Sequence, residues 1–246
     1  MEVLLGFAIA VAISLTGVGA GTLSTPLLIL LLRVPPAAAV GTALAFSAIV
    51  KIASVPFYAA RRQVNFNVLK LLLVGGLPGV IIGSLLLDHL KNASRQNAVY
   101  AVLGIFIVVT ALVRLYRVFR PAANAISKDR SRLIPWLALP IGAEVGFSSA
   151  GAGALGSLLL LGMTPLTAAE VVGTDLCFGL GLSIAGGAIH IGAGNYDLAL
   201  LIKMSIGGIF GAITGSALAT RVNQRALRIG LLLVLILIGC RLALHP

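Results

Sequence analysis

Apolar segments separated by short polar or glycine-rich breaks run the length of the chain, and they come in two lengths. The stretches 37–58, 66–87, 98–118, 166–189, 196–218 and 226–244 each approach or exceed the roughly 20 residues a helix needs to cross a bilayer. Four others are too short: 1–15 and 22–32, on either side of Thr16–Gly21, and 133–146 and 155–163, on either side of a second glycine-rich break. Joined, the first pair would make one helix of about 45 Å, long for a hydrocarbon core of about 30 Å. Gly17, Gly19 and Gly21, at alternate positions, also oppose an unbroken helix. The pattern predicts either one long broken helix or a re-entrant hairpin that enters and leaves by the same face. Pro35 and Pro36 suit the first turn of the next helix, Arg61 and Arg62 close it, and Pro56 and Pro78 predict kinks.

These elements occur twice. At a constant offset of 132 residues, 12 of the 28 positions from Gly19 to Phe46 are identical, among them Gly19/Gly151, Gly21/Gly153, Gly41/Gly173, Thr42/Thr174 and Phe46/Phe178. The same offset carries Gly75, Gly79, Gly83 and Ser84 onto Gly207, Gly211, Gly215 and Ser216. A period this long predicts two homologous halves rather than a solenoid. They are a first membrane repeat over 1–120 and a second over 133–246, joined by a basic linker over 121–132.

Composition moves the whole arrangement into lipid. Of the 246 residues, 59% are hydrophobic and 10% charged, against about 25% charged in a soluble domain; the mean hydropathy is +1.09. So few polar groups cannot cover a water-facing surface. The net charge of +11 does not indicate nucleic acid, because the basic residues fall in short runs between apolar segments, where membrane topology places them. Glu2, with no basic residue before the first apolar segment, argues against a cleaved signal peptide. Cys177 and Cys240 lie within apolar segments and lack metal-ligand spacing.

Charge also separates the two readings of the breaks. If each break is the tip of a hairpin, each half crosses three times and the halves are inverted. One face then holds eleven basic residues: Arg61, Arg62, Arg114, Arg117, Arg120, Lys128, Arg130, Arg132, Arg221, Arg225 and Arg228. The other holds four: Arg33, Lys91, Arg95 and Arg241. If the first segment crosses, each half crosses four times, the halves are parallel and the split is nine to six. The positive-inside rule favours the sharper bias. The expected fold is an all-α polytopic membrane protein of two inverted repeats. Each repeat has a glycine-broken re-entrant helix pair plus three spanning helices, and the linker is cytoplasmic in the cell inner membrane.

A helix that begins at a break near the midplane presents free backbone N–H groups and about half a positive charge, so it can bind an anion without a basic side chain. Two inverted copies would aim two such ends at one point. The candidate substrate-binding residues are therefore Gly19, Gly21, Thr22, Ser24 and Thr25 in the first copy and Ser149, Gly151, Gly153 and Ser157 in the second, with the duplicated Thr42 and Thr174. Close helix packing is the competing explanation for the glycines. Ser47, Lys51, Ser54 and Tyr58 share one helical face, and the matching face of the second copy is Asp175, Gly179, Ser183, Gly186 and His190. Lys51 either lines the anion's path or snorkels toward the membrane surface. Glu144 and Asp175, whose first-half counterparts are Ala12 and Ala43, are candidate carriers of a coupling proton; a salt bridge such as Asp175 to Lys51 is the alternative. Glu170 suits an interfacial helix start, and Gly75, Gly79 and Gly83 with their counterparts predict helix packing.

Glycine break, short apolar piece, proline and a Gly-Thr helix, twice over, resemble the TauE/SafE family of sulfite exporters, which are similar to 4-toluene sulfonate uptake permeases. The matching stretches are GVGAGTLSTPLL with VGTALAFS, GAGALGSLLLL with VVGTDLCFG, and GNYDLALLIKMSIGGIFGAITGSALA. The resemblance implies a permease for a small sulfur-containing anion such as sulfite or an organosulfonate. Asp175 in place of Ala43 makes the two half-sites chemically unequal. The expected partners are a small anion, the lipid bilayer and protons as a coupling ion, with no nucleic acid, cofactor, metal or catalytic residue. A passive anion channel and a carrier of another small anion are the alternatives. An intramembrane enzyme is disfavoured, because no Ser/His pair at matched depth and no metal-ligand spacing is present.

Overall fold

A computed structural model describes residues 1–16, 20–91, 96–119, 131–150, 153, 155–218 and 224–244. Among these residues all regular structure is helical. The first half forms α1 (Glu2–Thr16), α2 (Ala20–Leu32), α3 (Pro36–Ala60), α4 (Phe66–Leu90) and α5 (Gln96–Phe119). The second forms α6 (Ile134–Ser148), α7 (Leu155–Met163), α8 (Ala168–Gly192), α9 (Leu198–Leu218) and α10 (Gln224–Leu244). Helices α3, α4, α5, α8 and α9 are long and apolar enough to cross a membrane. Helix α10 has 21 residues, but its apolar stretch begins only at Ile229, with Arg225 and Arg228 in the turns before it.

Polarity is arranged inside out. Ile81, Ile82 and Leu85 of α4, Ile105 and Val109 of α5, and Ile209, Phe210 and Ile213 of α9 face outward, whereas Thr22, Ser24, Thr25, Ser47, Lys51, Glu144 and Asp175 are buried. Lipid imposes this order, since it solvates apolar side chains and leaves polar ones to pair within the protein. Trp136, exposed at the start of α6, suits the aromatic belt at a membrane surface.

Helix starts follow local chemistry. Pro36 opens α3 as its first residue. Thr167 and Glu170 form a capping box on α8, the Glu170 carboxylate accepting from the Thr167 N–H at 2.9 Å. The Asn65 and Asp197 side chains cap α4 and α9 by accepting from the N–H groups of Val68 and Leu200. These two caps are themselves held across the halves. Thr174 Oγ1 accepts from the Asn65 N–H at 2.9 Å and Thr42 Oγ1 from the Asp197 N–H at 3.0 Å.

Each half lends its first helix to the other. Helix α6 lies along α4, and α1 lies along α9. On α4, Gly75, Gly79 and Gly83 meet the carbonyls of Pro135, Leu139 and Ala143; on α9, Gly207 and Gly211 meet those of Val3 and Phe7. Every pair in the second set is the first set displaced by 132 residues. Only a residue without a Cβ permits backbones this close. The equivalent helices α3 and α8 also touch. Gly186 lies against Leu44, Ser183 against Ser47, and Gly179 against Lys51. Numbers fall on one helix as they rise on the other, so α3 and α8 run antiparallel.

Gly79→Val places a branched side chain on the Leu139 carbonyl. Overpacking of this kind costs about 1–3 kcal/mol or more, so the variant should lose most of its monodisperse yield and melt at a lower temperature. Gly230→Ala, where an added Cβ meets nothing within 4 Å, should match the wild type in both. A Gly79→Val protein as stable as the wild type would show that α4 and α6 are not held by this contact.

Candidate functional site

The tips of the two broken helices meet. Ser149 ends α6 in the left-handed conformation, with φ 58°, and points its hydroxyl at the first turn of α2. That hydroxyl donates to the Gly21 carbonyl at 3.0 Å and pairs with the Thr25 hydroxyl. A Cβ on Gly21 would overlap the Ser149 carbonyl, so the approach requires glycine there. Thr22, Ser24 and Thr25 are all at most 1% exposed. The Thr22 Oγ1 is buried without a hydrogen-bond partner. At the second break Gly153 has φ +95°, a left-handed conformation that favours glycine. Ser157, in the first turn of α7, lies 3.1 Å from the Gly153 carbonyl and also reaches the Asp175 carboxylate. Gly19 and Gly151 lie outside the described residues.

Helices α3 and α8 carry the charged part of the site. The Lys51 ammonium donates to the Gly179 carbonyl at 3.1 Å and to the Ser183 hydroxyl at 3.0 Å, and Ser183 donates to Ser47 at 3.3 Å. Ser183 is the residue equivalent to Lys51 in the second half. The lysine is held inside, near the middle of α3, rather than extended to a helix end. Lys91 pairs with Asp88 at 2.6 Å and Lys203 with Glu2 at 2.7 Å; Lys51 and Asp175 act on one another without direct contact.

Glu144 of α6 accepts from the Thr110 hydroxyl of α5, and its other carboxylate oxygen is buried without a partner. The charge count placed Arg114 among the basic residues of one membrane face. It is instead a buried residue of α5, and its charge acts on Glu144, Asp175 and Lys51. Thr110 had no sequence signal, because a single threonine in an apolar helix is usually satisfied by its own backbone; Thr110 does bond the Phe106 carbonyl at 2.7 Å. Thr42 and Thr174 brace the caps of α9 and α4. Toward one end, Asp88, Lys91 and Asn195 form a network joining the halves at 2.6–3.2 Å. A shallow cleft of about 630 Å³ near the same end is lined by Arg33, Tyr196 and Asp197.

A bundle with several spans, a lipid-facing apolar surface and buried hydroxyls, charges and helix ends at its centre has the build of a membrane transporter. The chain belongs to the family described as sulfite exporter TauE/SafE, which it matches over residues 3–242. It is a multi-pass membrane transporter of that family. It is 28% identical to the probable membrane transporter protein YjnA of Bacillus subtilis (strain 168), over 98% of each chain. It is 26% identical to the probable membrane transporter protein YdhB of the same organism over 87% of each chain. Identity to that organism's probable membrane transporter protein YunE is 24%, over 98% of this chain and 95% of the relative. No solved structure matches the chain.

Proposed function

We propose that the protein is a secondary transporter, a permease of the cell inner membrane, for a small sulfur-containing anion such as sulfite or an organosulfonate. The anion would bind between the starts of α2 and α7, beside Lys51, and be exposed alternately to each side as one repeat rocks against the other. The observation that carries this reading is the buried, unpartnered Thr22 hydroxyl in the first turn of α2, where a helix end already favours negative charge. The substrate class rests on the family description. Two inverted repeats with re-entrant tips account for the antiparallel contact of α3 with α8 and for pieces of 13 and 9 residues in α2 and α7, both too short to span.

Flux of labelled sulfite, thiosulfate and methanesulfonate into vesicles reconstituted with the full chain tests the reading. A carrier saturates and supports exchange against unlabelled anion; flux that rises linearly with concentration indicates a passive pore instead. Topology is tested with single cysteines in a chain lacking Cys177 and Cys240. Cysteines at Asn65, Ser127 and Asn223 should be blocked only by reagents on the cytoplasmic side, and those at Asn92 and Asn195 only from the other. Asn223 reacting from the same side as Asn92 would mean parallel halves.

A further inference from the structure

The two broken helices differ in what covers them. Over the first turn of α7 stands the chain's own carboxylate. Asp175 is 3% exposed. One of its oxygens accepts from Ser157, the carboxylate lies against the Gly153 N–H, and the other oxygen is buried without a partner. A Cβ on Gly156 would overlap that second oxygen, so the carboxylate rests directly on the helix turn. At the equivalent place over α2 the residue is Ala43, Ser24 replaces Gly156, and the Thr22 hydroxyl is left unpartnered.

We propose that Asp175 is a tethered anion that holds the second helix end until it is protonated, so that substrate anion and proton bind together. The proposal rests on the anion reading above and assigns its coupling. With Asp175 ionised, the start of α7 is occupied and the charge of Lys51 is balanced. When a proton adds to the Asp175 carboxylate, the new O–H donates to Ser157 Oγ. Ser157 has one proton and two acceptors within reach, and it turns from Asp175 to the Gly153 carbonyl, 3.1 Å away. The Gly153 N–H and the Lys51 charge are then left for an external anion, which restores the lost negative charge. Burial makes this replacement favourable, since an uncompensated charge in a dry site is costly. One proton and one monoanion move no net charge.

Among the titratable groups around Asp175, Glu144 is the rival switch, and the slope measured in Asp175→Asn separates the two. Lys51 of α3 and Arg114 of α5 act on it as cations. Helix α7 has no titratable residue, and Glu144 of α6 is bonded through one oxygen to Thr110 on α5 while its other oxygen is buried without a partner. On α8 itself, Glu170 is committed to the capping box and His190 to the Gly146 carbonyl. On α4, Asp88 is committed to Lys91 and Asn195.

The test is calorimetric titration of the full chain in detergent with methanesulfonate, whose own charge is constant over the range used. In the wild type, affinity should rise about tenfold for each unit the pH is lowered while Asp175 is ionised, with one proton taken up per anion. The sign follows from binding only to the protonated form, which grows scarcer as pH rises. Asp175→Asn should bind at every pH without proton uptake. Wild-type binding with no proton uptake, or the wild-type slope retained in Asp175→Asn, overturns the proposal. A second arm needs no sulfonate. Asp175→Ala leaves a carboxylate-sized vacancy, so acetate should raise its unfolding temperature but not that of the wild type. If the wild type ignores methanesulfonate at every pH but acetate rescues Asp175→Ala, the tethered anion stands and the sulfonate reading fails. No acetate response in a folded Asp175→Ala overturns the tethered anion itself.

Discussion

Thr22→Val is expected to weaken anion binding about ten- to a hundredfold while leaving the protein at least as stable as the wild type. The hydroxyl is buried and unpartnered, and an unsatisfied buried polar group costs about 1–3 kcal/mol. Valine keeps the shape and removes that cost, so the melting temperature should stay or rise. A hydrogen bond to a charged ligand is worth about 1.5–3 kcal/mol, and about 1.4 kcal/mol is a factor of ten, which gives the expected loss. A variant that is merely damaged would lose stability and binding together; opposite signs mark a residue kept for its ligand. Gly21→Val is the severe companion. Its side chain would occupy the Ser149 carbonyl, driving the two tips apart, and transport should be abolished. Wild-type affinity in both variants would place the anion away from the start of α2.

Lys51→Met should likewise abolish most transport without unfolding the protein. The ammonium is held by a carbonyl and a hydroxyl rather than in a direct ion pair, so no carboxylate loses a bonded partner, and Asp175 can answer the lost charge by taking up a proton. What disappears is a buried cation that acts on Asp175. Anion affinity should fall by at least tenfold, and its dependence on salt should weaken, because the remaining attraction comes from helix ends and short hydrogen bonds. Ser183→Ala removes one of the two bonds that hold the ammonium and should have a smaller effect of the same sign. Full affinity in Lys51→Met would reduce the lysine to a strut between α3 and α8.

Much of this arrangement was legible in residue spacing. The short apolar pieces, their glycine breaks and the offset of 132 residues locate α1, α2, α6 and α7 to within a few positions. Helical spacing put Ser47 and Lys51 on one face and Gly179 and Ser183 on another, and these are the faces that touch. Spacing failed where the partner lies on a distant helix. Arg114 is about two helical turns from the basic linker, and only the packing of α5 turns it inward. Thr42 and Thr174 are repeated for a reason the pattern hides, since the residues they hold, Asp197 and Asn65, are 155 and 109 positions away.

The sequence by itself determined the solvent, the number of halves and the places where helices break, because each is written in local quantities: the length of an apolar run, a glycine triplet, a constant offset. Tertiary structure decided which half completes which. That α1 lies on α9 and α6 on α4, that Ser149 reaches the start of α2, and that Asp175 covers the start of α7 all depend on contacts between segments apart in the chain. The duplication predicts two equal helix ends; a carboxylate folded over one of them sets it apart from the other, where the Ser149 carbonyl and an unpartnered Thr22 hydroxyl lie instead, and burial makes that single difference count, since a charge in a dry interior must be answered by another charge or by a proton.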